Sequence, residues 1–278
     1  MSKRVIVALL LVGAAACNKS DESGTAHANP SQSGTASTST GAAATSASYG
    51  GTQTVDKDAV AALDKMGAYL RSLKAFQVKA TTSRDEVLDN GQKVQFASTQ
   101  DVLVQRPNKF RGELSSDEKH RMFFYDGKTF TLYADRPGYY ASVPAPSTLG
   151  ELSDRLETKY DIELPLSDLF LWGTDKAHGG AITSAVDVGP SEVEGTSVEQ
   201  YAFRQNGMDW QVWIQQGEYA LPRKLVITTT TDDSRPDYSA VFDWNLAPSF
   251  NDAAFTFDPP SDAKRIVLKE TDSTSRSN

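Results

Sequence analysis

Apolar positions along the chain first recur at helical spacing and then, for most of its length, alternate. Between Lys57 and Leu73 they fall at Val60, Leu63, Met66, Tyr69, Leu70 and Leu73, in steps mostly of three and four. Asp56 stands just ahead, where its side chain can cap the first turn. An amphipathic helix is predicted there, weakened slightly by Gly67. Beyond it the period is two. In MDWQVWIQ, Met208, Trp210, Val212 and Ile214 take one side, and Asp209, Gln211, Trp213 and Gln215 the other. YSAVFDWNL repeats the pattern, with Tyr238, Ala240, Phe242, Trp244 and Leu246 opposite Ser239, Asp243 and Asn245. Asn90-Gly91, Asp126-Gly127 and Asn206-Gly207 each separate two alternating segments, which is the strongest short hairpin signal a sequence carries. The segments read as an antiparallel sheet with one apolar and one wetter face. Met122, Phe124, Phe130 and Leu132 are assigned to the apolar one.

Helical spacing returns between residues 147 and 173, with Leu149, Leu152, Leu156 and Tyr160, a break at Pro165, and a short apolar helix from Leu166 to Trp172. A meandering sheet with helices over its apolar face is an α+β arrangement. No internal repeat is visible.

The N-terminus changes the picture. Lys3 and Arg4, the apolar run Val5 to Val12 and the small residues Gly13 to Ala16 make residues 1–16 a secretory signal peptide. The run is far short of the ~20 residues a membrane span needs. Cys17, the only cysteine among 278 residues, follows directly. Small residues ending in cysteine resemble the lipobox of bacterial lipoproteins, which implies acylation of Cys17 after cleavage and stable anchoring by several acyl chains. Asn18, not an aspartate, favours the outer over the inner membrane. The alternative is an ordinary leader cut near Ala16 that leaves a free thiol.

Residues 17–54 are almost entirely Ser, Thr, Gly, Ala and Asn and read as a disordered tether, as does the tail 269–278. Residues 55–268 remain for one domain with a sizeable core. The formal net charge of −8 becomes −10 once Lys3 and Arg4 leave with the leader. That balance, with no basic cluster apparent, argues against nucleic acid and against an anionic bilayer face as the main partner.

Candidate chemistry is sparse. There is no G-x-S-x-G elbow, Walker loop, dinucleotide-binding glycine pattern or H-E-x-x-H. His27 falls in the tether, while His120 and His178 sit in separate loops, where solvated side chains are expected rather than metal ligands. Asp154, Glu157, Asp161, Glu163 and Asp168 read as the polar side of the second helical region, because acid/base carboxylates need burial to raise their pKa. No enzyme, cofactor or metal is expected. What stands out is the large apolar side chains on one sheet face, which either fill a core or leave room for acyl chains; periodicity does not separate the two.

Three stretches, VLVQRPNKFRGEL (102–114), YDGKTFTLY (125–133) and AAFTFDPPSDAKRI (253–266), resemble in that order the outer-membrane lipoprotein carrier LolA, its receptor LolB and their superfamily. The overall pattern is most similar to a family of predicted periplasmic proteins, DUF2092, grouped with that fold. The resemblance implies a strongly curved antiparallel sheet forming an unclosed half-barrel with a helical lid and an apolar cavity. It also implies that Arg106, from the R-P-N motif, latches the lid by hydrogen bonds. Met122, Phe124, Leu132, Trp210, Val212 and Ile214 are then expected to line the cavity with Phe242 and Trp244. Leu169, Phe170 and Trp172 are expected to line it from the lid. The expected function is a tethered periplasmic lipoprotein that binds lipid or the acyl chains of a lipoprotein. The alternative is an envelope regulatory or scaffolding module with a filled interior that binds another protein, since one fold serves several functions.

Overall fold

The computed structural model of the protein describes residues 54–172 and 181–271, and of Phe170 and Leu171 the backbone alone. The leader, Cys17, the tether up to residue 53, His178 and residues 272–278 lie outside the described residues.

Helix α1 (Lys57–Ser72) begins where Asp56 Oδ1 accepts the backbone N–H of Asp58 at 2.8 Å and of Ala59 at 3.4 Å. These bonds satisfy two of the donors a helix start leaves unpaired. Its buried stripe is Ala59, Leu63, Met66 and Leu70, with Gly67 also buried. Six strands follow: β1 (Ala75–Val87), β2 (Lys93–Gln105), β3 (Lys109–Ser116), β4 (His120–Tyr125), β5 (Thr129–Ala134) and β6 (Tyr139–Pro144). Two helices interrupt, α2 (Leu149–Tyr160) and α3 (Ser167–Leu171). Five more strands follow, β7 (Ser184–Val193), β8 (Thr196–Gln205), β9 (Met208–Gln215), β10 (Pro222–Thr229) and β11 (Asp237–Asn245), then a 3-10 turn at Asp252–Phe255 and the two-residue β12 (Lys264–Arg265).

The strands form one curved sheet in the order β12-β6-β5-β4-β3-β2-β1-β11-β10-β9-β8-β7. It consists of two meanders, β1 to β6 and β7 to β11, joined where β11 pairs with β1 from Gln77↔Asn245 to Arg84↔Tyr238. All neighbours are antiparallel except β12, which lies parallel to β6. The two ends of the order do not pair with each other, so the sheet stays unclosed. Gly91, Gly127 and Gly207 sit in the turns β1–β2, β4–β5 and β8–β9 with φ of 79°, 95° and 86°, the left-handed region that glycine enters without steric cost.

One face of the sheet carries the core. Phe76 and Val78 of β1, Val102 and Val104 of β2, Phe110 of β3 and Phe130 of β5 are 0–1% exposed there, beneath the apolar stripes of α1 and α2. The alternation predicted for β9 and β11 holds: Met208, Trp210, Val212, Ile214, Ala240 and Phe242 all belong to this core.

Strand β4 corrects the reading. Its register sets Phe123 opposite Gly112 and Leu132, and Tyr125 opposite Phe110 and Phe130, all on the core face. Met122 and Phe124 therefore point to the other face. HRMFFY is apolar at both parities, so a period of two could not choose between them, and a one-residue slip moves every side chain across the sheet. Phe124 is still 8% exposed, because Phe257 from the C-terminal segment lies over it at 5.3 Å between ring centroids. Phe257 also meets Tyr133 and Tyr140, each at 5.2 Å.

Candidate ligand-binding interior

The interior is bounded by the core face of the sheet and by the three helices. Helix α2 starts where Thr148 Oγ1 accepts the backbone N–H of Glu151 at 3.3 Å, and it buries Leu149, Leu152, Ser153 and Leu156. Helix α3 buries Leu169 at 4% exposure. Next to it the Trp172 ring meets Trp210 edge-on at 5.6 Å, and Trp210 stacks on Phe203 at 4.3 Å. Trp210 Nε1 donates to Gln205 Oε1 at 2.8 Å, which satisfies a buried indole. Leu132 and Trp244 are half-buried against the same core, and Trp244 Nε1 donates to the Pro222 carbonyl at 2.8 Å. The side chain of Phe170 is outside the described residues.

Of the remaining residues expected at a cavity, the structure brings Leu132, Leu169, Trp172, Trp210, Val212, Ile214, Phe242 and Trp244 to this interior and places Met122 and Phe124 outside it. Phe123 and Tyr125 stand in their places. Gly112 of β3, opposite Phe123, sits where side chains of the core and of the α2–α3 linker approach the strand closely. A Cβ on Gly112 would lie 2.8 Å from the Phe110 ring and 2.9 Å from Pro165 of the α2–α3 linker.

Arg106 links the sheet to the helices. Its Nε donates to the Leu73 carbonyl at 3.1 Å and its Nη2 to that of Leu70 at 3.5 Å, at the C-terminal end of α1, where helical carbonyls lack partners. Burial, helped by nearby Arg71, lowers the Arg106 pKa, and a guanidinium remains charged regardless. The next residue, Pro107, accepts the backbone N–H of Leu149 at 3.1 Å, at the start of α2. Arg71 Nη1 donates to the Trp172 carbonyl at 3.0 Å and so ties α1 to the end of α3. All three helices are thus tied at positions within or one bond away from the R-P-N segment and α1.

The centre is filled: Phe76, Phe110, Phe130, Tyr125, Met66, Leu152 and Leu156 each have less than 2% exposure. A cavity of about 410 Å³ opens at its margin between α1 and β8–β9, with Ile214, Ala220 and Tyr201 on its inner side and Lys65, Asp187 and Glu199 around its rim. The Tyr201 hydroxyl is pushed up in pKa by burial first and then by Asp187 and Glu199. Tyr238 is raised by burial and then by Asp168 and Glu163, so both phenols stay protonated. Gln100, opposite Ala80 and Leu114, has a buried side-chain oxygen without a partner.

His120 lies on the outer face, with Nδ1 2.7 Å from Asp135 and Nε2 2.8 Å from Glu113. The hydrogen bond to Asp135, then that to Glu113, raises its pKa. Both ring nitrogens are engaged there, away from the interior. Among the described residues no three His, Cys, Asp or Glu side chains group as a metal site, and no helix is long and apolar enough to cross a membrane.

A family model described as "Predicted periplasmic protein (DUF2092)" matches residues 59–269. The chain belongs to that family. No curated protein matches. Among solved structures the chain is similar to LprF from Mycobacterium bovis, with 14% identity over 77% of this chain and 100% of that one, at a TM-score of 0.43. It is similar to the lipoprotein LppX of Mycobacterium tuberculosis at 14% identity, 70% and 100% coverage and a TM-score of 0.42. A LolA superfamily protein from Nitrosomonas europaea aligns at 10% identity, 72% and 97% coverage and a TM-score of 0.33.

Proposed function

We propose that this DUF2092 protein is a periplasmic lipoprotein, acylated on Cys17 and held preferentially at the outer membrane, that binds a lipid or acylated ligand between the sheet and its helices. The observation that carries the reading is the continuous apolar face of the unclosed sheet, covered by short helices that are fastened near Arg106. A ligand enters beside Ile214, where the 410 Å³ cavity meets the core, and displaces the helices to reach Val212, Trp210, Phe242 and Trp244. Leu132, Leu169 and Trp172 line the opened space, and Arg106 acts as the latch. Burial of chain methylenes, about 0.8 kcal/mol each, drives binding. The work is binding, not catalysis. The orphan oxygen of Gln100 gives a ligand hydroxyl or amide one polar contact.

The filled centre favours a second reading, in which the interior is only a core and the chain is an envelope regulatory or scaffolding module that binds another protein. Mass spectrometry of organic extracts separates the two. Residues 18–278 are produced in a bacterial periplasm and purified without detergent. Stoichiometric lipid that is lost from Trp172→Ala supports the first reading, and an extract matching that of an unrelated periplasmic protein supports the second.

A further inference from the structure

Seven large apolar side chains stand exposed among the described residues, and three of them belong to one edge of the sheet. Tyr139 is 38% exposed, Ile266 45% and Val267 91%. Strand β12 holds them together: Lys264 pairs with Tyr139 and Arg265 with Tyr140, and the Ile266 backbone N–H donates to the Tyr140 carbonyl at 2.8 Å. Beyond it the Thr271 N–H donates to the Lys159 carbonyl at 2.8 Å, so the segment is pinned at both ends.

The same edge is cationic. KRIVLK, residues 264–269, carries Lys264, Arg265 and Lys269, all exposed, with no carboxylate between them. Exposed Arg136 lies in the turn before Tyr139. Of the flanking acids, Asp258 and Asp262 are exposed, Glu270 is engaged by Lys159 at 3.2 Å, and Asp135, beside Arg136, is engaged by His120 at 2.7 Å. Inside a chain of net charge −8, KRIVLK is a short run of cations whose own carboxylate neighbours lie at its two ends.

Charged side chains on an edge strand guard against pairing with other sheets. That role accounts for Lys264 and Arg265, but not for Val267, which stands almost wholly in solvent beside them. Apolar side chains ringed by cations suit a bilayer interface, where the chains enter the headgroup boundary and the charges meet anionic lipid. We propose that the β6–β12 edge docks on the surface of an anionic bilayer. The surface is separate from the interior, so this inference stands whether or not the interior takes a ligand.

The test is flotation of residues 18–278, which lack the acylated cysteine, with vesicles of phosphatidylcholine alone or with about a third phosphatidylglycerol. Binding to the anionic vesicles only is expected. Replacing Lys264, Arg265 and Lys269 together by Gln weakens it roughly a hundredfold, at about fivefold per cation. Val267→Glu alone, at an exposed site that the fold does not need, removes most of it. Lys79→Gln with Lys93→Gln, on the β1–β2 hairpin, leaves it unchanged. No flotation by the parent chain, equal binding to neutral vesicles, or unaltered binding by Val267→Glu and the triple variant would each overturn the proposal. Cross-linking of position 267 to a periplasmic protein without vesicle binding would assign the edge to a protein partner instead.

Discussion

Replacing Arg106 by Gln should loosen one end of the helical cover without unfolding the sheet. The side chain donates from Nε to the Leu73 carbonyl at 3.1 Å, a sound hydrogen bond, and from Nη2 to Leu70 at 3.5 Å, at the outer limit of one. A bond from a charged donor contributes about 1.5–3 kcal/mol, and a cation at a helix C-terminus adds about 0.3–1 kcal/mol. The second, long contact adds little. The loss therefore falls at about 2–3 kcal/mol, and it is local, because the rest of α1 is held by Ala59, Leu63 and Met66 in the core. In amide hydrogen exchange the last turn of α1, near Leu70, should exchange about 30- to 150-fold faster, since each 1.4 kcal/mol is a factor of ten. The start of α2 at Leu149 should follow more weakly through Pro107. Strands β8 to β10 should keep their protection. Arg106→Lys should fall between, because an ammonium retains the charge but lacks the fork that reaches both carbonyls. Unchanged exchange at Leu70 would refute the latch, and an equal rise across the whole sheet would show that Arg106 supports the fold rather than the cover.

Gly112→Ala pushes a methyl to within 2.8 Å of Phe110 and 2.9 Å of Pro165 and should cost about 1–3 kcal/mol, read as a lowered melting temperature; a melt like that of the parent would mean the linker moves freely. Phe123→Ala, at a site 3% exposed, should cost about 3–5 kcal/mol in denaturant unfolding, and Met122→Ala, half-buried on the other face, under about 1.5; the reverse order would sink the observed register. His120 titrates above its ordinary 6.5, so the stability it contributes is fully present below 6.5 and is lost as pH rises through its higher folded value. The gap in stability between parent and His120→Gln should therefore be larger at pH about 5.5 than at about 9, and below about 1 kcal/mol because the group is partly exposed. An NMR titration that puts His120 at or below 6.5 would contradict this.

The elements legible in advance were those with a single period. Helix α1 ends one residue short of its predicted limit at Leu73, β9 and β11 keep the predicted faces, and the three Asn/Asp-Gly turns fall where expected. Strand β4 was illegible in its facing because four of its six residues are apolar, and only pairing to β3 and β5 fixes which of them look inward. Arg106 was legible as a residue joining sheet to helices only through its motif; that its bonds go to α1, with Pro107 serving α2, depends on where two distant helix ends meet. The cationic edge was missed for a different reason. Net charge averages over the chain, and KRIVLK matters only once β12 brings it beside Tyr139.

A filled interior and a lipid ligand are compatible if exchanging one for the other costs little. Lifting α2 exposes Leu149, Leu152 and Leu156, buried at 0–3% exposure, at about 1.5–3 kcal/mol each, or about 5–9 kcal/mol together. Breaking the bonds at its two ends, from Leu149 to Pro107 and from Thr271 to Lys159, adds about 1 kcal/mol each. An acyl chain of about sixteen carbons regains about 12 kcal/mol if its methylenes take the vacated surface. The exchange is therefore close to balanced for a chain of that length and unfavourable for a chain half as long. A minimum acyl length for binding follows from a lid that must be displaced, whereas a standing cavity would already admit the short chains. Affinities for a series of fatty acids of increasing length, measured on the parent and on Arg106→Gln, should rise about fourfold per added methylene in both, since the Arg106 side chain bonds the end of α1 and not α2. A flat dependence on length, the same in both, would leave the interior as a core and no more.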